Sequence, residues 1–142
     1  MNGRSFVDTN ILVYDQDAAF PAKQARAREL LTQLWKDRTG RVSIQVCNEY
    51  FVTMTRKLKP GLDNETAWNR VEDLAAWEPV PLDYKTLTKA RETQQRYGIS
   101  WWDSLIVAAA FLSECALIYS EDLSHGQEYF GIRVINPFLE TP

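Results

Sequence analysis

Short apolar runs alternate with stretches of helical periodicity along nearly the whole chain. This alternation constrains the fold more than any other feature. Strands separated by helices pair in parallel, and a parallel sheet must bury both of its faces. Ser5-Phe6-Val7 is the first run, ending at Asp8. Asp8-Thr9-Asn10 offers turn and cap chemistry before Ile11-Leu12-Val13. Pro21 opens a helix through Leu34, with Leu30, Leu31 and Leu34 on its inner face. Arg41-Val42-Ser43 gives a second strand, and Ser43 can cap a helix from Ile44 to Leu58. Cys47, Tyr50, Phe51, Met54 and Leu58 form the buried stripe of that helix, which Pro60-Gly61 stops.

A further helix runs from Asp63 or Asn64 to Ala76. Val80 and Leu82 fit a third short strand, in which prolines 79 and 81 are confined to an edge or to the strand's start. Tyr84–Tyr97 reads as a helix ended by Gly98. Ser100 caps Trp101–Glu114, which is apolar on nearly every side and therefore central. Ala116–Tyr119 and Ile132–Ile135 are the last two strands. The expectation is one α/β domain over residues 1–142. It has three layers, α/β/α, around a mostly parallel central sheet of four to five strands.

Composition narrows the function. Sixteen Lys and Arg against nineteen Asp and Glu leave a net charge of −3, which argues against a protein that coats nucleic acid by charge alone. The charge is uneven: ten bases face six acids in residues 1–60, and six face thirteen in residues 61–142. Two cysteines, Cys47 and Cys115, both in apolar surroundings, are read as buried free thiols. The single histidine, His125, is read as a loop residue, and Trp35, Trp68 and Trp77 as core or partner contacts. Asp8 arrives before any signal-like apolar run, and Leu105–Leu112 falls well short of the ~20 residues that span a bilayer. A soluble, cytoplasmic protein without membrane contact is expected. No Walker loop, Gly-x-Gly-x-x-Gly, His-Glu-x-x-His or Gly-x-Ser-x-Gly is present.

In open parallel sheets, function gathers beyond the carboxyl ends of the strands. Four acids from separate segments can converge there. Asp8 ends the first strand, and Asp122 follows the Ala116–Tyr119 strand. Asp103 lies in the first turn of the apolar helix, and Glu49 lies early in the helix after the second strand. Two carboxylates ~5 Å apart at an effective dielectric of ~20 repel by about 3 kcal/mol. Convergence therefore calls for a cation, and an all-oxygen set suits Mg²⁺ or Mn²⁺ rather than zinc. Each acid also has a local role open to it. Asp8 can cap the next segment, and Asp103 can form a capping box with Ser100. Asp122 can be an exposed turn acid. Glu49 lies opposite the buried stripe of its helix, so it serves a site only if that polar side lines the cleft.

Taken together these segments resemble the PIN domain, most closely the VapC-type toxin ribonucleases of bacterial type II toxin–antitoxin pairs. The matching pieces are Phe6–Leu12, Asn48-Glu49, Trp102–Ile106, Tyr119–Leu123 and Ile132–Phe138. The resemblance spans almost the whole chain, and order and spacing carry it. It implies a Mg²⁺-dependent endoribonuclease, with Mn²⁺ as the other option, that hydrolyses RNA phosphodiester bonds. Asp8 and Asp103 would be the main metal ligands. Glu49 would hold water on the metal or position a second ion, and Asp122 would complete the acidic site. Asn10 and Ser120 would orient these carboxylates through hydrogen bonds. Glu121 precedes Asp122 and either can point inward; Asp122 matches the motif position. Arg56, Lys57, Lys59, Lys23, Arg26 and Arg28 are candidates for the RNA backbone. The resemblance further implies an antitoxin partner that blocks the acids, and pairing into a homodimer.

Two other classes stay open. One is a PIN-like scaffold that binds RNA or protein without cutting. The other is an aspartate-based phosphatase or receiver domain, which shares a strand ending in Asp. The phosphatase wants a second Asp two residues on, where this chain has Asn10.

Overall fold

In a computed structural model that describes residues 3–139, five strands form one sheet in the order β2-β1-β3-β5-β4. The strands are β1 (Arg4–Val7), β2 (Gly40–Arg41), β3 (Cys115–Tyr119), β4 (Glu128–Tyr129) and β5 (Ile132–Ile135). All neighbours are parallel except β4, which runs antiparallel to β5. Six α-helices accompany them: α1 (Thr9–Tyr14), α2 (Pro21–Asp37), α3 (Ile44–Val52), α4 (Asn64–Asp73), α5 (Tyr84–Tyr97) and α6 (Trp101–Leu112). The chain steps from β1 to β2 in one direction and from β2 past β1 to β3 in the other. By the right-handed rule for parallel connections, α1–α2 and α5–α6 fall on opposite faces of the sheet. The expected mostly parallel α/β architecture is the one observed. No helix among the described residues is long and apolar enough to cross a membrane.

Local chemistry explains the helix starts. Pro21 occupies the first turn of α2, where its missing N–H costs nothing. Ser43 caps α3 by accepting from the Val46 N–H at 3.2 Å, and Ser100 caps α6 by accepting from the Asp103 N–H at 3.1 Å. Gly98, at φ 66°, ends α5 in the left-handed conformation that glycine adopts freely. Ser104 through Ala110 are all buried, so α6 is the central helix its composition predicts.

Several elements differ from the sequence reading, β4 and the bounds of β2 among them. The expected strand at Val80 and Leu82 shrinks to one bridge, Ser43 to Val80, because the flanking prolines have no N–H to extend it. α3 ends at Val52 and continues as a π-helical turn, Thr53–Lys57, where the Leu58 N–H reaches the Thr53 carbonyl at 2.9 Å. Asp8 does cap the next segment, which is the short helix α1 beginning at Thr9.

Gly40 shows how tightly this edge packs. An ideal Cβ there would stand 2.5 Å from Cζ2 of Trp77, a ring only 1% exposed that lies against Trp35 at 4.4 Å between centroids. Gly40→Ala is therefore expected to destabilise the fold by about 1–3 kcal/mol through overpacking. A urea melt with unchanged midpoint would contradict this account of the edge.

Candidate active site

The site begins where β1 stops. The Asp8 N–H still donates to the Tyr119 carbonyl at 3.0 Å, so Asp8 sits at the carboxyl ends of β1 and β3. Its side chain is buried and bonded at both oxygens. Oδ1 accepts from the Thr9 N–H at 2.8 Å. Oδ2 accepts from Ser120 Oγ at 2.8 Å and from Asn10 Nδ2 at 3.4 Å. Ser120 Oγ in turn accepts from the N–H groups of Asp122 and Leu123, at 3.1 and 3.2 Å. With both acceptor positions filled, its proton is directed at Asp8.

Asn10 ties the second acidic segment to the first. Its Nδ2 also donates to Asp122 Oδ2 at 3.2 Å, while its Oδ1 accepts from the Glu121 N–H at 3.1 Å. Asn10 thus bridges two carboxylates with its amide group. Glu49 is reached from the other side: Thr9 Oγ1 donates to its Oε1 at 2.9 Å. The polar side of α3 does face the cleft, because α1 packs beside it.

Asp8, Glu49 and Asp122 line one cleft of about 590 Å³. Asp103 stands apart. It lies in the first turn of α6, at the same edge of the sheet but outside the cleft lining. Its backbone is capped by Ser100, and burial together with its charge raises the Tyr129 phenol. Only half of the capping box is made, since the Asp103 carboxylate forms no hydrogen bond among the described residues. The structure therefore brings three of the four predicted acids together.

Burial pushes the Asp8 carboxyl up to about 6. The bonds from Ser120 and Thr9 pull it down, and the charges of Asp122 and Glu49 push it up again. Among the described residues, no Lys or Arg pairs with Asp8, Glu49 or Asp122. Glu121 has the opposite environment. Burial acts against its charge, but the Lys23 ammonium and the Tyr14 hydroxyl (2.7 Å) hold its carboxyl below the usual range. Glu121 and Asp122 both line the cleft, but Glu121 is paired with its own base, which leaves Asp122 as the unpaired member of the two.

The donor set fits a hard divalent cation in chemistry: carboxylate and amide oxygens, no thiolate and no histidine. Its spacing is that of an open cleft. Among the described residues, no three His, Cys, Asp or Glu side chains are clustered as a ready-made metal cage. A family model for the PIN domain matches residues 5–127. The chain belongs to the PIN-domain family. A solved structure described as a toxin–antitoxin complex from Klebsiella pneumoniae shares its fold at a TM-score of 0.65. Identity is 17%, over 94% of this chain and 97% of that one. No curated protein matches the sequence.

Thr9 and Asn48, within the matching segments, also line the cleft, and Tyr14, Asp17, Phe20, Val52 and Thr53 line it without having been singled out in the sequence. Of the six bases considered for RNA, only Lys57, on the π-helical turn, lines it. Lys23 is committed to Glu121. Arg26 donates to the Pro137 carbonyl and Arg28 to the Asp15 carbonyl, so both brace the fold. Cys47 and Cys115 are buried free thiols, and burial pushes Cys115 up to about 11. Neither is a nucleophile in this environment.

Proposed function

We propose that this PIN domain is a metal-dependent endoribonuclease, acting as the toxin of a toxin–antitoxin pair. The observation that carries the reading is the cleft itself. Among the described residues, Asp8, Glu49 and Asp122, from three segments, share it without a pairing base, Asp17 adds a fourth unpaired carboxylate to its lining, and Asp8, the most buried, is fixed by Ser120, Asn10 and Thr9. Asp8, Asp122 and Glu49 would hold Mg²⁺ or Mn²⁺, with Asp103 contributing from the N-terminus of α6. Such an ion activates water towards phosphorus and offsets the charge that builds on the phosphoryl and leaving oxygens.

The chain's own residues supply the positioning. Ser120 and Asn10 lock the orientation of Asp8, and Asn10 sets its distance from Asp122. Thr9 holds Glu49 towards the cleft. The Lys23–Glu121 pair keeps a competing carboxylate out of the donor set. Lys57 offers a positive charge to a backbone phosphate. The antitoxin partner is inferred from the family and from the toxin–antitoxin description of the structural neighbour. A cytoplasmic location and a homodimer complete the proposal, the latter checked by light scattering.

The test is cleavage of single-stranded RNA with Mg²⁺, with Mn²⁺ and with EDTA. Cleavage is expected with either ion and none with EDTA. Asp103→Ala is the informative variant, because Asp103 lies outside the cleft lining. A loss of tenfold or more puts it among the working acids, on the scale of residues that support a metal site. Unchanged cleavage limits the site to Asp8, Glu49 and Asp122.

A further inference from the structure

The cleft that holds the acids is also lined by an apolar group: Val13, Tyr14, Phe20 and Val52. Phe20 is the unusual member. It is 49% exposed, yet its backbone is hydrogen-bonded on both sides. Its N–H donates to the Asp17 carbonyl at 3.2 Å, its carbonyl accepts from the Gln24 N–H at 2.8 Å, and Pro21 follows it. Its ring meets Tyr14 edge-on at 5.7 Å. Tyr14 is itself held by the bond from its hydroxyl to Glu121 and by an edge-on contact with Phe138 at 5.0 Å. A lone exposed phenylalanine is ordinary. One that is anchored on both sides of its backbone, and that opens into the cleft beside Asp8, Glu49 and Asp122, is pre-positioned to receive a flat partner at small entropic cost.

We propose that Phe20, backed by Tyr14, is the platform on which an unpaired base of the RNA strand stacks. This rests on the ribonuclease reading and names its substrate more narrowly, as a strand whose base can be splayed out of a helix. With a cation offsetting the cleft's carboxylates, a nucleic-acid strand is the occupant that its remaining charge favours. Lys57 lines the same cleft and has no ion pair among the described residues, so it is available to a phosphate. The cleft volume lies within the about 300–1,000 Å³ typical of small-ligand sites, enough to take one nucleotide unit. Every base offers a π-face, so the platform selects for single-strandedness rather than for one base. Phe20 contributes no proton or metal contact; it is a binding residue that sets where the strand lies relative to Asp8.

The experiment uses a short single-stranded RNA carrying 2-aminopurine, bound with Ca²⁺ in place of Mg²⁺, so that the carboxylates are offset while the larger, more loosely coordinated ion leaves the strand uncut. A blunt duplex of the same sequence serves as the control. Wild-type protein is expected to quench the single strand and not the duplex. Phe20→Ala should weaken binding about 5- to 150-fold, the equivalent of 1–3 kcal/mol per stacked base. In cleavage assays it should raise KM with little change in kcat. Phe20→Trp should restore quenching and affinity, whereas Phe20→Leu, apolar but not flat, should not. Thermal melts of all three variants should match wild type, since the side chain is half-exposed. Phe20→Leu binding and quenching as wild type does overturns stacking. Phe20→Ala retaining full RNA affinity also overturns the proposal and makes the ring a protein contact. If the wild-type protein neither binds nor cuts RNA, the ribonuclease reading falls and takes this inference with it. That failure shows in the wild type, whereas failure of the platform shows only in the variants.

Discussion

Asp8→Asn is expected to lower metal-dependent RNA cleavage by about 10²–10³-fold, the scale seen when one preorganised electrostatic contact to a transition state is removed. Asp8 is the centre of the site's bonding. It receives the Ser120 hydroxyl, the Asn10 amide and the Thr9 N–H, and it sits at the carboxyl ends of two adjacent central strands. The asparagine side chain fills the same space but cannot take the same bonds. One of its two ends must be an NH₂ group. Facing Thr9 it meets an N–H; facing Ser120 it meets a hydroxyl whose acceptor positions are already filled. The variant therefore loses a charge and misorients the acid loop at once. Binding of the 2-aminopurine RNA should persist, because Phe20 and Lys57 are untouched. Cleavage within threefold of wild type at saturating Mg²⁺ would remove Asp8 from the site.

The helices and central strands of this PIN domain were legible because each rests on local chemistry. Pro21, Ser43, Ser100 and Gly98 mark helix ends that the structure reproduces. β4 was not legible. It is two residues long, and its hairpin to β5 turns through Phe130 and Gly131, both at positive φ, 53° and 81°. That geometry is the usual two-residue hairpin turn, but a phenylalanine there gives none of the usual Asn-Gly signal. The π-helical turn after Val52 was invisible for a similar reason. A helix and its widened last turn share the same apolar spacing, and only the Leu58-to-Thr53 bond distinguishes them.

The site divides along the same line. Asp8, Asn10, Ser120 and Asp122 lie in two short segments at strand ends, and the rule that function gathers there finds them. Glu49 is different. Helical periodicity correctly puts it opposite the buried stripe of α3, and that stripe says nothing about what faces the other side. Only the packing of α1 beside α3 turns a solvated acid into a cleft acid. The same holds for Glu121 and Asp122, adjacent in sequence and opposite in environment. Lys23, almost a hundred residues away, neutralises one and not the other. Asp103 runs the other way: a strong motif position that the structure leaves at the rim.

Stability is expected to rise as pH falls from 7 towards 5 in EDTA, and the sign follows from Asp8. A carboxyl held at about 6 in the folded chain, against 3.8 as its ordinary value, binds its proton more tightly folded than unfolded. Above both values the folded state bears the full cost, about 3 kcal/mol; the cost fades as pH drops through 6 and is gone below 4. Groups with lowered values oppose this trend, but in a lower window. Asp63, Asp83 and Glu121 give up stability only as pH falls below the ordinary carboxylate range. Between pH 7 and 5 the Asp8 contribution is therefore the one left to read. Urea melts at pH 7, 6 and 5, on wild type and Asp8→Asn, isolate it as the difference between the two proteins. Millimolar Mg²⁺ should flatten the wild-type curve by stabilising the charged form most where the proton is absent, and should move Asp8→Asn less, since only Asp122 and Glu49 are left to hold the ion. Wild-type stability that is level or falling from pH 7 to 5, relative to Asp8→Asn, would mean that Asp8 is not desolvated in the way its burial requires. The cleft's need for a cation would then rest on Asp122 and Glu49 alone.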